Sequence, residues 1–165
     1  MGDTKNLSNN EAIKKIKELA EEIDICMFCT YDGDKLKARP MSTQKVDDEG
    51  TIWFLSDKDS HTNQEIKQDC EVELLYAHGY EKYLVLHGKA EILYDKQKIK
   101  ELWKTHAKIW FTEGEDDPRI SVIKVMFEDG HYWDTKHGKI VQLTKMAASL
   151  LTGKTMDDGI EGNLS

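Results

Sequence analysis

The chain has 165 residues, with 31 acidic against 23 basic side chains and a formal net charge of −8. That length suits one domain with a single core, and the acidic balance argues against nucleic acid or an anionic membrane as a main partner, since both call for a basic face. No apolar run approaches the ~20 residues of a membrane span, and the opening stretch Met1-Gly2-Asp3-Thr4-Lys5-Asn6 lacks the apolar centre of a signal peptide, so a cytoplasmic location is expected.

Residues 1–9 are polar and are expected to be flexible. Ser8-Asn9-Asn10-Glu11 has capping-box spacing, and Ile13, Ile16, Leu19, Ala20 and Ile23 then recur at helical intervals. This amphipathic helix is expected to pack as a lid. A strand follows over 25–30, and Tyr31-Asp32-Gly33-Asp34 is a hairpin turn into a second strand over 35–46. Cys26 and Cys29 form a C-x-x-C, which invites a metal or redox reading. On a strand, however, residues three apart point to opposite faces, so the pair reads as small buried hydrophobes.

Asp47-Asp48-Glu49-Gly50 is turn chemistry, and Thr51-Ile52-Trp53-Phe54-Leu55-Ser56 is β-branched and aromatic, a third strand. The polar loop 57–60 opens a helix over 61–68, with Ser60 its candidate cap. Strands over 70–77 and 83–93 join through His78-Gly79, residues 95–103 are helical, and 104–118 is less regular. Strands over 120–127 and 131–134 make a final hairpin through Glu128-Asp129-Gly130. Residues 143–151 form a short apolar helix ending at Gly153, a natural C-cap, and 154–165 are expected to be a flexible tail. Several strands with few helices and no βαβ alternation mean a mainly β chain built as an antiparallel barrel.

Arg39 stands mid-strand between Ala38 and Pro40, where a charge needs a reason. Pro40 has no N–H and is confined to edges or breaks in a ladder, which fits a strand interrupted to face a ligand. The alternative for Arg39 is a surface salt bridge on an edge strand. The strand-to-helix passage from Ser56 to Ser60 leaves free N–H groups at a helix start, and those groups can hold a phosphate. His78, His87, His106, His131 and His137 lack zinc-site spacing, no glycine-rich phosphate loop appears, and no nucleophile stands beside an evident base. Any chemistry would therefore come from a cofactor.

The segment KARPMSTQKVDDEGTIWFLSDKDSHT, residues 37–62, resembles the FMN-binding half of the pyridoxamine 5'-phosphate oxidase-like split barrels, in the branch of general stress protein 26. The resemblance runs on through Val72–Tyr76, His87–Ile92, Glu101–Trp103, Lys108–Phe111, Asp116–Pro118 and Tyr132–Asp134, and covers a domain of residues 10–153. It implies a six- to seven-stranded antiparallel split β-barrel with flanking helices. It also implies a homodimer with FMN at the subunit interface, flavin-dependent oxidoreductase activity, and NADH or NADPH as one electron donor.

By that resemblance Arg39 lies near the phosphate, and Pro40, Met41, Ser42, Thr43 and Gln44 line the ring. Leu55 and Ser56 would offer backbone groups to the ring and ribityl chain, with Ser60, His61 and Thr62 as the phosphate loop. Relatives often carry Arg or Lys at the positions of His61 and Thr62, so a fixed charge is missing here. Tyr83, Trp110, Phe111 and Trp133 match segments near the flavin, although strand packing would serve Tyr83 as well. Trp53 and Trp103 read as core. After Trp133 the chain has Lys136 and Lys139 and no Arg, so the substrate arginines of a true pyridoxamine-phosphate oxidase are absent and turnover of pyridoxine phosphate is not expected. Two further readings keep the fold. One is a flavin-binding carrier or stress sensor without turnover. The other is a pocket for heme or for the deazaflavin F420.

Overall fold

The computed structural model describes residues 3–135 and 159–165. In chain order the elements are β1 (Asp3–Thr4), α1 (Asn9–Ile23), β2 (Ile25–Asp32), β3 (Lys35–Ser42), β4 (Lys45–Val46), β5 (Ile52–Asp57) and α2 (His61–Gln68). Then come β6 (Glu71–His78), β7 (Lys82–Leu93), α3 (Lys96–Leu102), β8 (Ile120–Thr135) and β9 (Gly159–Leu164). Two short 3-10 turns, Thr105–Ile109 and Gly114–Asp116, bridge α3 and β8.

The nine described strands form one sheet in the order β1-β9-β8-β7-β6-β2-β3, and β5 joins β8 with β4 at its side. Every ladder is antiparallel except the short one between β1 and β9. The sheet curls until β3 and β5 approach each other without a ladder between them. This is the expected mainly β split barrel, and its open seam positions the site.

Alternation sends one face of each strand inward. Phe28 meets Phe54 edge to face at 5.1 Å, and Ile52, Leu74, Leu84, Leu86, Ile123 and Tyr132 fill the interior with almost no exposure. The α1 stripe of Ala12, Ile16, Leu19 and Ala20 is fully buried against β4, β6 and β7, so the lid reading holds. Burying each large apolar side chain is worth about 1.5–3 kcal/mol. A second cluster, Trp53, Ile99, Leu102, Phe111, Ile120 and Val122, lies under α3, and Trp103 packs against it. Cys26 belongs to the interior while Cys29 sits on the other face beside Glu73, as alternation requires, and both are unbridged. Burial pushes the Cys26 thiol up to about 12.

Three expectations are corrected. Residues 120–134 are not a hairpin: β8 runs unbroken, and β7 follows it from Leu93↔Val122 to Tyr83↔Trp133. The Asp129-Gly130 signal marks a close approach instead. A Cβ at Gly130 would lie 2.5 Å from the Val85 carbonyl oxygen, and one at Gly88 only 2.3 Å from that of Met126. The register shifts between His87 and Gly88, so the ladder bulges and bends there. The long strand then serves β5 with residues 120–125 and β9 with residues 130–135.

The chain ends, expected to be flexible, are paired where they are described. β9 ladders on β8, Asp3 and Thr4 pair with Ile160 and Glu161, and the Tyr132 hydroxyl donates to the Lys5 carbonyl at 2.8 Å. Leu7 and Leu164 are buried, and a polar tail gave too little alternation to announce it. The capping box of Ser8 is also not made: Ser8 holds the N-cap position without a side-chain hydrogen bond. The helix over 143–151, Lys136 and Lys139 lie outside the described residues.

Candidate functional site

Two local features open the seam. Pro40 sits in β3, the outermost strand at this end of the sheet, where its missing N–H costs no ladder bond. Past Ser42 the chain turns inward: Thr43 N donates to the Asp24 carbonyl at 2.9 Å, the buried Thr43 hydroxyl lies 2.8 Å from the Tyr76 hydroxyl, and Gln44 N donates to the Trp53 carbonyl at 2.8 Å. Between this stretch and β5 lies a cavity of about 420 Å³. β3 gives it Arg39, Pro40, Met41 and Ser42, with Gln44 beyond; β5 gives Leu55, Ser56 and Asp57; and α2 gives Thr62. The 3-10 turn Thr105–Ile109 contributes His106 and Ala107, the residues that follow it contribute Trp110 and Phe111, and β2 contributes Ile25.

Arg39 lines the cavity, and its guanidinium is held by Glu65 of α2. Nη2 donates to Glu65 Oε2 at 2.6 Å, and Nη1 donates to the Thr30 hydroxyl and, at 3.5 Å, to the Phe28 carbonyl. The Thr30 hydroxyl donates in turn to Glu65 Oε2. Burial pushes the Glu65 carboxyl up, but the Thr30 and Arg39 hydrogen bonds outweigh it, so Glu65 is held below its usual range and is ionised at neutral pH.

Ser60 caps α2 by accepting from Asn63 N at 3.2 Å, as its position in the sequence implied, and its Oγ lies 3.2 Å from that of Ser56. The capped helix leaves the N–H groups of His61 and Thr62 without an acceptor among the described residues. Asn63 fastens α2 to β8 through the Ser121 hydroxyl at 2.8 Å, and Ser121 donates to the Ser56 carbonyl at 3.0 Å. Two buried acceptors, Gln44 Oε1 and Asn63 Oδ1, have no donor among the described residues. Gln44 lines the cavity.

Arg119 ties down the outer wall. It donates from Nε and Nη2 to Asp117 at 3.1 and 2.7 Å, places Nη1 3.8 Å from Asp57 Oδ2, and lies 5.9 Å from the Phe111 ring centre. Nη2 also reaches the Trp110 carbonyl at 3.5 Å. Asp117 is buried, and Arg119 hydrogen bonds hold its carboxyl below the usual range. Trp110 nonetheless remains 60% exposed.

Ten of the fifteen residues singled out in the sequence therefore line one cavity: Arg39, Pro40, Met41, Ser42, Gln44, Leu55, Ser56, Thr62, Trp110 and Phe111. The other five do not. Thr43 is buried behind the wall, Ser60 acts as cap, and His61 is exposed at the start of α2. Tyr83 and Trp133 pair across β7 and β8 on the outer face, where the Tyr83 hydroxyl donates to the Gly79 carbonyl at 2.9 Å and Trp133 lies against His131 at 4.3 Å. Ile25, Asp57, His106 and Ala107 line the cavity without having been singled out. His106 and Ala107 lie in a stretch with no periodicity, and Ile25 reads as an ordinary strand residue.

The family model described as pyridoxamine 5'-phosphate oxidase like matches residues 11–157. Among solved structures, a putative general stress protein 26 from Jannaschia sp. CCS1 is 25% identical with a TM-score of 0.78, over 92% of this chain and 96% of that one. A general stress FMN/FAD binding protein from Xanthomonas citri is 22% identical with a TM-score of 0.65, over 77% and 90%. The curated protein bli-3 of Neurospora crassa is 22% identical over 112 residues, 62% of this chain and 54% of that protein, so the chain spans about half its length. The chain belongs to the pyridoxamine 5'-phosphate oxidase-like family, within its general stress protein 26 branch.

Proposed function

We propose that the cavity between β3 and β5 holds FMN and that the protein acts as a flavin-dependent oxidoreductase. The observation that carries this reading is the mixed lining of one 420 Å³ cavity: apolar and aromatic walls around a buried, undonated Gln44 Oε1. The volume is in the range of small-molecule sites, and an apolar pocket with few convergent polar groups suits a planar heterocycle. The residues present fit the group. Pro40–Ser42, Leu55, Trp110 and Phe111 would hold the ring, and Gln44 would accept from a ring N–H. The Ser56 hydroxyl and the first N–H groups of α2 would meet the phosphate. The FMN/FAD description of the Xanthomonas citri protein supports the same class of ligand.

When bound, FMN supplies hydride or single-electron transfer. The chain's part is to orient the ring and keep water from it. Leu55 and Phe111 form the dry side, and Arg119 fixes the wall that carries Trp110 and Phe111. NADH or NADPH is the electron donor in this reading, and the location is cytoplasmic. Among the described residues no helix is long and apolar enough to cross a membrane.

The protein works as a homodimer in this reading. On the outer sheet face Pro40, Met27, Leu75 and Val85 lie opposite one another across four strands, and Ile25, Ala77, Tyr83 and Trp133 form the adjacent row. Ile25 and Met27 are 47% and 41% exposed, and both Ile25 and Pro40 also line the cavity. A second copy seated on this face would cover the apolar rows and close the open side of the site, bringing Tyr83 and Trp133 of one protomer toward its partner.

Anaerobic addition of NADPH to FMN-loaded protein tests the reading. Bleaching of the flavin absorbance followed by reoxidation with an added acceptor is expected. Bound flavin that no nicotinamide donor reduces would support the carrier or sensor instead.

A further inference from the structure

Resting on the flavin reading, we propose that the cavity selects the flavin ring and not its phosphate. Riboflavin and FMN should then bind within about tenfold of each other, with Glu65 as the residue that cancels the phosphate preference. The charges around the end of the cavity where α2 begins carry the argument. Arg39 is the only arginine that lines the cavity among the described residues, and its Nη2 is 2.6 Å from Glu65 Oε2. Glu65 is only 13% exposed in its side chain and is clamped by Thr30 as well, so it does not swing away cheaply. Asp57 lines the cavity itself and shares Arg119 with the buried carboxylate of Asp117. Two guanidiniums thus face three carboxylates. A phosphomonoester carrying about −1.5 to −2 at neutral pH would enter a surrounding with no surplus positive charge.

What remains for the phosphate is neutral: the Ser56 hydroxyl, and the His61 and Thr62 N–H groups. Other positive or titratable groups stand nearby but outside the lining: Lys58, His61, and Lys104, whose Nζ donates to the Thr43 carbonyl at 3.3 Å. The ring end, by contrast, offers Ile25, Pro40, Met41, Leu55, Trp110 and Phe111, with the unsatisfied Gln44 oxygen. Those groups treat the two flavins alike. Charge-assisted bonds are about twice as strong as neutral ones, so cancelling the one cation removes the term that would tell them apart.

The test is a pair of titrations on the full chain, FMN and riboflavin, read by quenching of flavin fluorescence for the wild type, Glu65→Gln and Asp57→Asn, with circular dichroism melts confirming that each variant folds. The wild type is expected to hold both flavins within about tenfold, with a ratio insensitive to salt. Glu65→Gln is expected to tighten FMN about tenfold and to leave riboflavin unchanged, and Asp57→Asn to move FMN in the same direction. A wild-type preference for FMN of about 100-fold or more would overturn the proposal. So would weaker FMN binding in Glu65→Gln, because Glu65 would then be positioning Arg39 for the phosphate. Unchanged FMN binding in both folded variants would overturn it too. Binding of neither flavin would overturn the flavin reading itself, whereas the other failures leave that reading standing.

Discussion

Ser60 supports two structures at once: it caps α2 and stands 3.2 Å from the Ser56 hydroxyl beside the cavity. Replacing it with alanine removes one cap bond, so Ser60→Ala should lower the unfolding free energy by about 1 kcal/mol in urea titrations. It should also weaken flavin binding, since the first turn of α2 would fray. Glu65 makes a different prediction, in pH. Its carboxyl is held below the ordinary value of 4.5 when folded, so its contribution is present above that value and is lost as the pH falls through the folded value. Wild-type stability should therefore decline on acidification below about pH 4.5. The Glu65→Gln protein should decline less steeply over the same window, as urea midpoints at successive pH values would report. An equal slope in the two proteins would mean that the Arg39–Glu65–Thr30 cluster is not formed in solution.

At the scale of elements, the passage from β7 to β8 is where glycine matters. Gly88→Ala would drive a Cβ to 2.3 Å from a backbone oxygen of the facing strand, which cannot yield as a side chain can. Overpacking of this kind costs about 1–3 kcal/mol, occasionally more, and the top of that range is expected from thermal melts. Gly79→Ala meets nothing within 4 Å and carries only the cost of its left-handed φ of 58°, about 1 kcal/mol. The same comparison explains what the sequence concealed. Asp-Gly beside alternating residues signals a turn, yet Gly130 serves close packing inside a continuous strand. Only the partner strand could reveal that. The termini were unreadable for a related reason, since β9 has two well-spaced apolar residues, Ile160 and Leu164, among polar ones. By contrast α1, α2, β2, β3, β5, β6 and β7 were legible because periodicity, turn glycines and a capping serine agreed with one another, whereas the single strand expected over 35–46 breaks after Ser42, and Lys45–Val46 pairs with β5 instead. Most of the site was legible through Pro40 and the end of β5. His106 and Ala107 were not, because 3-10 turns leave no periodic trace.

At the scale of the molecule, the outer sheet face and the open side of the cavity are continuous, so assembly and binding should be linked. Val85 stands in the middle of the apolar rows, facing away from the core. Val85→Glu should leave the fold intact, shift the species seen by light scattering from twice the 19.0 kDa chain mass to a single chain, and weaken flavin binding in parallel. A wild-type protein that is a single chain at all concentrations while binding flavin fully would remove the second copy from the account. The central claim is narrower: the flavin occupies the cavity between β3 and β5. An amide chemical-shift map of the isotopically labelled protein, recorded before and after addition of FMN, tests it most directly. The account predicts the largest shifts over residues 39–44, 55–57, 61–62 and 106–111, with smaller ones at Tyr83 and Trp133 that depend on assembly. Saturating FMN that leaves those four segments unshifted would contradict it.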